Sequence, residues 1–445
     1  MHFAAVRLLP LGFLILGQIS CRSVAADLAP SPPSFPGAEG FGALASGGRG
    51  GEVYHVTTLA DAGPGSFREA VSRPHRTVVF DVGGVIRLES NVQLSSDLTI
   101  AGETAPGEGI CLYGRSVSLS DLTNVILRFL RIRQGIGGDR GKKALGMSGA
   151  RAIIIDHCTL QWGRWDDLGI TVGSQDITIQ HCLIAEAIHP QSFGALVDSV
   201  THVSLIGNVW LSNESRNPKA KGTIQFINNI VYNWGYTGLC GGHSAADRWL
   251  DVVGNYFIAG PSSNDRFAGQ FLASDHVYQA DNRVDLDRNG RLDGVVAAPA
   301  DFHRADEEKY TLPTFEVGPA LSPAIPVTTI PPEAAFVRAV QAVGCSLRRD
   351  AIDRRLIDEL RSLGSRGATL PHKDPAGEAL AGGIAPVLDG EAPADTDRDG
   401  MPDAWEAARG LDPRNPADGA APDASGYSNL ELYLHSQVAA VSGGR

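Results

Sequence analysis

Ile153-Ile154-Ile155-Asp156-His157-Cys158 and Ile177-Thr178-Ile179-Gln180-His181-Cys182 open the series of blocks that decides the architecture. Val203-Ser204-Leu205-Ile206-Gly207-Asn208, Ile224-Gln225-Phe226-Ile227-Asn228-Asn229 and Leu250-Asp251-Val252-Val253-Gly254-Asn255 continue it in register. By subtraction, the last residues of these blocks lie 24, 26, 21 and 26 positions apart. Short β-type runs at a period in the low twenties, each closed by a thiol or a carboxamide, predict a solenoid in which every coil stacks on its predecessor. Asn208, Asn229 and Asn255 then lie one above another, where their side chains bond along the axis and tolerate left-handed turns. Cys158 and Cys182 fill the same place as small buried groups. His157 and His181 also recur at matching positions, which reads as a structural role.

Moving outward, Val78 to Val82, Leu98 to Ala101 and Val125 to Arg133 extend the pattern, so the solenoid is expected from about Val53 to about Ala259. A sandwich of antiparallel strands would show hairpin dipeptides between runs, and few occur. At 445 residues, a single elongated repeat or several domains are both possible on length. The repeat decides for the first. Gly 52 and Pro 26 beside 43% hydrophobic residues describe a turn-rich chain that folds.

Met1 to Ala26 carries Arg7, the apolar run Leu8 to Gly17 and the small residues Val24-Ala25-Ala26, which reads as a signal peptide and predicts export to the periplasm or medium. A lipid anchor at Cys21 is the weaker reading, because Gln18 stands where an aliphatic residue would be wanted. No other apolar run is long enough to span a bilayer. Past the leader, Cys111, Cys158, Cys182, Cys240 and Cys345 are odd in number and irregular in spacing, so they are expected as buried thiols, not a disulfide framework. A net charge of −12 argues against nucleic acid or an anionic membrane as partner. An acidic polymer held in one local basic cleft remains open, and the chain is expected to be monomeric.

Beyond Gly260 the period fades, a Pro-rich stretch follows, and residues 331–365 read as capping helices over the last coils. Their apolar stripe is Ala335, Val337, Val340, Val343, Ile352, Leu356 and Leu360. Residues 34–330 make the main domain, 366–394 a Gly/Ala/Pro-rich linker, and 395–436 an acidic tail. In that tail Asp395-Thr396-Asp397-Arg398-Asp399-Gly400, with Asp403 and Glu406, places oxygen ligands at loop positions 1, 3, 5, 9 and 12 and glycine at 6. That is EF-hand spacing, with Met401 giving its backbone carbonyl, and it predicts Ca2+. A further run, Asp285, Asp287, Asn289 and Asp293 around Gly290, starts the same way but has Val296 where the terminal Glu belongs.

Arg216-Asn217-Pro218-Lys219-Ala220-Lys221 puts three cations in six residues of an acidic chain. Pro218 favours extended geometry, so Lys219 and Lys221 share a face, as an anion site requires.

Phe35-Pro36-Gly37-Ala38-Glu39-Gly40-Phe41-Gly42, Gly47-Gly48-Arg49-Gly50-Gly51, Gly63-Pro64-Gly65-Ser66-Phe67-Arg68-Glu69-Ala70, Ile155-Asp156-His157 and Arg216-Asn217-Pro218 together resemble the pectate lyase superfamily over roughly Phe35 to Ser263. The resemblance implies a right-handed parallel β-helix and β-elimination on an acidic polysaccharide. That reaction must neutralise a uronate carboxylate, remove the C5 proton and assist departure of O4. In the family, calcium serves the first need and an arginine the second, and Arg216 matches that arginine. A guanidinium ordinarily holds its proton past pH ~12. Neighbouring cations and burial favour its release.

The sequence departs from the family where calcium ligands are expected: these positions fall on Lys143 and on or beside Trp165 and Gly169, and a helper lysine maps to His189. Either Asp166 and Asp167 hold calcium in a shifted site, or Lys143 itself neutralises the substrate. Lys221 would share the charge, while Trp162, Trp165 and His243 would contact sugar. A glycoside hydrolase would instead need converging carboxylates, with Asp166 and Asp167 as the only pair to hand. A non-catalytic polysaccharide-binding protein is the third reading.

Overall fold

The computed structural model describes residues 1–2, 32–304, 306 and 308–442. Apart from residues 1–2, the expected leader lies outside the described residues, as does Cys21. From Pro32 onward the chain winds into a parallel β-solenoid of about nine turns. One coil shows the plan: Leu145–Ser148, Arg151–Asp156 and Thr159–Gln161 are three short strands meeting at corners. Each pairs in parallel with its counterparts in the coils before and after, giving three sheets that face a common interior.

The register follows the repeat. Ile153, Ile177, Val203, Ile224, Leu250 and Val277 are successive partners across the sheet. All six are buried in the principal core. Because side chains alternate across a strand, this one row fixes which face of every coil turns inward.

The carboxamide column exists and is longer than expected. Asn208 donates to Asn229 Oδ1 at 3.0 Å, Asn229 to Asn255 Oδ1 at 3.2 Å, and Asn255 to Asn282 Oδ1 at 2.9 Å. Above it, the Cys182 amide donates to Asn208 Oδ1 at 2.8 Å. The four Asn are fully buried. His157 and His181 stand ring to ring at 5.0 Å in the same stack of corners. The five described cysteines are free and buried.

Two expectations need correction. The solenoid does not stop near Ala259: Asp275–Ala280 and Arg283–Asp285 add another coil. Its sequence mark, Val277 to Asn282, is the same block offset by a longer loop. The capping helices, Pro332–Ala342 and Ala351–Arg361, lie along the flank of the third sheet instead of across the last coils. Their apolar partners run from Trp162 to Tyr256. Val337 is 52% exposed, because the buried stripe of the first helix is Ala335, Phe336 and Ala339. At the second helix Asp350 and Asp353 receive Arg133 at 2.6 and 2.9 Å, and Arg131 reaches Asp353 at 2.9 Å. Buried carboxylates on a helix N-terminus facing arginines of the sheet fix the helix in place.

The tail does not hang free. Met401, Leu430, Tyr433 and Leu434 bury against Val79 and Ala101 of the earliest coils. Arg49 pairs with Glu431 at 2.7 Å. No helix among the described residues is long and apolar enough to cross a membrane.

Candidate active site

The basic cluster sits on the outer face of the first sheet, the one that holds Leu145–Ser148. Lys219–Ile227 is a strand, with Ala220 turned into the core and Lys219 and Lys221 turned outward, as the alternation predicted. Arg216, just before it, reaches over the neighbouring coils: its Nη1 donates to Asp166 Oδ1 at 3.0 Å, and its guanidinium lies 4.0 Å from the Phe193 ring centre. The Arg216 side chain keeps one fifth of its surface open, whereas Asp166 has none. A guanidinium held by a buried carboxylate below and a ring face beside it has one orientation, and its free N–H edge is left for an outside anion.

Asp166 is the hub of this charge arrangement. Burial pushes its carboxyl up to about 6, while Arg216, Lys143 and Lys219 pull it back. Lys143 reaches the hub from the preceding coils by lying across Gly169. A Cβ at position 169 would stand 2.7 Å from Lys143 Cε, so the missing side chain is what gives the lysine its bed. Lys219 is nearly buried, and burial, aided by Arg216 and Lys221, brings its ammonium down to about 8. Lys221 pairs with Asp198 at 2.8 Å. Asp198 was not singled out from the sequence. It is the direct register partner of Lys221 on the first sheet, where the period is least visible.

The chain belongs to the pectate lyase family. It is 40% identical to a probable pectate lyase C of Emericella nidulans over 434 residues, covering 96% of this chain and 97% of that protein. A second, from Aspergillus fumigatus, is 40% identical over 410 residues, 91% of this chain and 94% of its own. No family model matches the chain. Among solved structures, a thermostable pectate lyase gives a TM-score of 0.53 at 14% identity, covering 70% of this chain and 98% of its own. A Paenibacillus pectate lyase gives 0.51 at 13%, covering 72% and 98%. The solved structures support the parallel β-helix, and the curated relatives make this chain a polysaccharide lyase.

Pectate lyases generally use calcium, and the groove residues do not fit an ion there. Asp166 gives Oδ1 to Arg216, and its Oδ2, like that of Asp167, is buried with no partner. Asp167, its neighbour on Asp166–Thr171, is wholly buried, accepts the Gly163 amide at 2.8 Å, and is held by burial well above the usual carboxylate range. Neither belongs to a cluster of three acidic, His or Cys groups among the described residues. Adjacent on one strand, the two also do not converge as a hydrolase pair would need.

Other expected contacts fall away. Trp162 is fully buried and donates its indole N–H to Glu186 at 3.2 Å, so it cannot stack on sugar. Trp165 is only part-buried and keeps that option. His189 donates from Nδ1 to the His372 carbonyl at 2.7 Å, which binds it to residues 366–394 instead of the basic cluster. His243 is exposed, and its pKa is lowered, first by partial burial and then by Lys219.

The acidic tail converges as a group. Asp395, Asp397 and Asp399 bring carboxylate oxygens within 4.8 Å of one another, and so do Asp399, Glu406 and Asp418. Asp397 Oδ2, Asp399 Oδ2, Asp418 Oδ1 and both Glu406 oxygens are buried with no partner. Burial and mutual repulsion push Asp399 and Glu406 up to about 7. Two carboxylate triads that share Asp399, four of their five members with an orphaned oxygen, fit a hard divalent cation. One member of the expected set differs. Asp403 turns away to accept the Thr396 amide at 2.7 Å and hydroxyl at 2.8 Å. Met401 buries its side chain in the tail core, which leaves only its carbonyl for the loop. Asp418 takes the place Asp403 leaves, and it lies outside the twelve-residue frame that the spacing defines.

Proposed function

We propose that this chain cleaves a uronate polymer of the pectate class by β-elimination in the groove at Arg216. The observation that carries the reading is the partly open Arg216 guanidinium, oriented by Asp166 and Phe193 and flanked by Lys143, Lys219 and Lys221 on a protein of net charge −12. An anionic sugar seeks that spot. Lys143 provides the positive charge that steadies the C6 carboxylate and so acidifies the C5 proton. Arg216 must first release one N–H proton to solvent, and the neutral guanidine then takes the C5 proton. The C5–H electron pair becomes the C4=C5 double bond, the C4–O4 bond breaks, and O4 leaves to be protonated from solvent. Lys219 and Lys221 hold the neighbouring carboxylates.

In this reading no metal enters the groove, and calcium belongs to the tail, held by Asp395, Asp397, Asp399, Glu406 and Asp418. There it neutralises buried charge and ties residues 395–418 together. The leader sends the protein out of the cell.

The test is an assay on polygalacturonate and alginate, following absorbance of the unsaturated uronate. New unsaturated ends that vanish in Arg216→Ala support the reading. Reducing ends without unsaturation, or full activity in that variant, remove it. N-terminal sequencing of exported protein that begins at Met1 would remove the leader.

A further inference from the structure

One aromatic ring beside the groove is not used by the chemistry at Arg216. Arg216 belongs to the loop between Val209–Leu211 and Lys219–Ile227, and the equivalent loop of the next coil, between Ile230–Tyr232 and Leu239–Cys240, carries Tyr236. The loops stack in register. The Glu214 amide donates to the Ser192 carbonyl at 2.8 Å, the Tyr236 amide to the Glu214 carbonyl, and the Asn217 amide to the Gly238 carbonyl at 2.9 Å. Tyr236 thus stands one coil past Arg216. The Arg216 guanidinium leans the other way, to Asp166, which pairs with Phe193, itself bridged to Ser215. From Asp166 to Tyr236 is therefore three coil steps, ~14 Å at the usual strand spacing.

Tyr236 is 47% exposed, and no other aromatic side chain among the described residues is as open. Its backbone is nevertheless fixed. The Asn264 side chain donates to the Tyr236 carbonyl at 2.9 Å while accepting the indole N–H of fully buried Trp234 at 3.3 Å and the Arg266 amide at 2.8 Å. The Arg266 guanidinium lies 4.8 Å from the Tyr236 ring centre and pairs with Asp306 at 3.0 Å. A cation held from behind braces one face of the ring, so the ring keeps its place while nearly half its surface meets water. Such a ring offers apolar contact area with little freedom left to lose on binding.

The neighbouring charge narrows what the ring can take. Glu214 lies beside it: a Cβ at Gly235 would strike the Glu214 Oε2. A carboxylate there repels the acid group of a uronate, so a sugar at this place presents its C–H face to the ring and turns its own carboxylate away.

We infer that Tyr236 is a distal subsite of the groove, taking by its ring face a sugar of the same uronate chain, roughly three units from the one at Asp166 and Arg216, since each coil step is about the length of one sugar unit. The inference rests on the reading of Arg216 as the reacting centre. Contact so far from the breaking bond speeds the turnover of long chains, while short ones cannot reach it.

The experiment compares the full-length protein with Tyr236→Ala and Tyr236→Phe on trigalacturonate and hexagalacturonate, following unsaturated product. Tyr236→Ala should lose about tenfold in kcat/KM on hexagalacturonate and nothing on trigalacturonate, equally at low and high salt, and Tyr236→Phe should behave as the parent. The ring lies outside the core, and circular dichroism checks that both variants are folded. Equal losses on the two substrates would make Tyr236 a support of the fold, and unchanged rates on both would leave it idle; either result overturns the subsite. If the parent eliminates neither substrate, the reading of Arg216 falls by itself, and calorimetry with hexagalacturonate decides the subsite. Weaker binding in Tyr236→Ala then keeps it, and equal binding removes it.

Discussion

The groove and the tail loop face the same electrostatic difficulty and answer it in opposite ways. In the groove, buried Asp166 is met by the chain's own cations, Arg216 at 3.0 Å and Lys143 across Gly169. In the tail, Asp399, Glu406 and Asp418 crowd one another, and backbone amides answer just one oxygen each of Asp399 and Asp418. Buried carboxylates require a counter-charge, so a site that carries its own is complete and one that does not is asking for an ion. The proposed reading therefore makes the groove independent of calcium and the tail dependent on it.

The comparison can be broken at several points. The largest effect is expected from Arg216→Ala, which should lower kcat on polygalacturonate by about 10³-fold, the scale of a general base, as read from the rate of unsaturated product. Next, Lys143→Met should lower kcat/KM about 100-fold, and added calcium should not restore it. Restoration would mean that an ion can sit in the groove after all. Third, chelation should lower the melting temperature while initial rates below the transition stay unchanged. At calcium a hundredfold above Kd the lost stabilisation is about 2.7 kcal/mol. Lost activity without a stability change would reverse the assignment of the two regions. Asn229→Ala, which touches neither, should cost about 1–3 kcal/mol in denaturant unfolding by orphaning its neighbours in the column.

The smallest effect is in pH. Lys219 is charged below about 8 and neutral above, so its hold on a substrate carboxylate is present on the acid side and lost as pH rises. KM should therefore climb several-fold above pH 8, and Lys219→Met should flatten that rise.

The solenoid was legible because one inward row repeats: Ile153, Ile177, Val203, Ile224 and Leu250 are both the sequence period and the register. The coil at Val277 was missed because its loop is longer, although Asn282 ends it as Asn255 ends the one before. Arg216, Lys219 and Lys221 were found from local charge density. Asp198 and Asp418 were not, since each joins its partners through coil stacking or a tail fold that no spacing records. Trp162 and Val337 failed for a plainer reason: composition names a side chain's chemistry, and only packing decides whether it faces water.

The seating of Met401, Leu430 and Leu434 on Val79 and Ala101 has a consequence for how the protein is made. The earliest coils are completed by a segment made long after them. Throughout synthesis the nascent rod carries a bare apolar patch at its start, which chaperones must guard until residues 401–434 arrive to seal it.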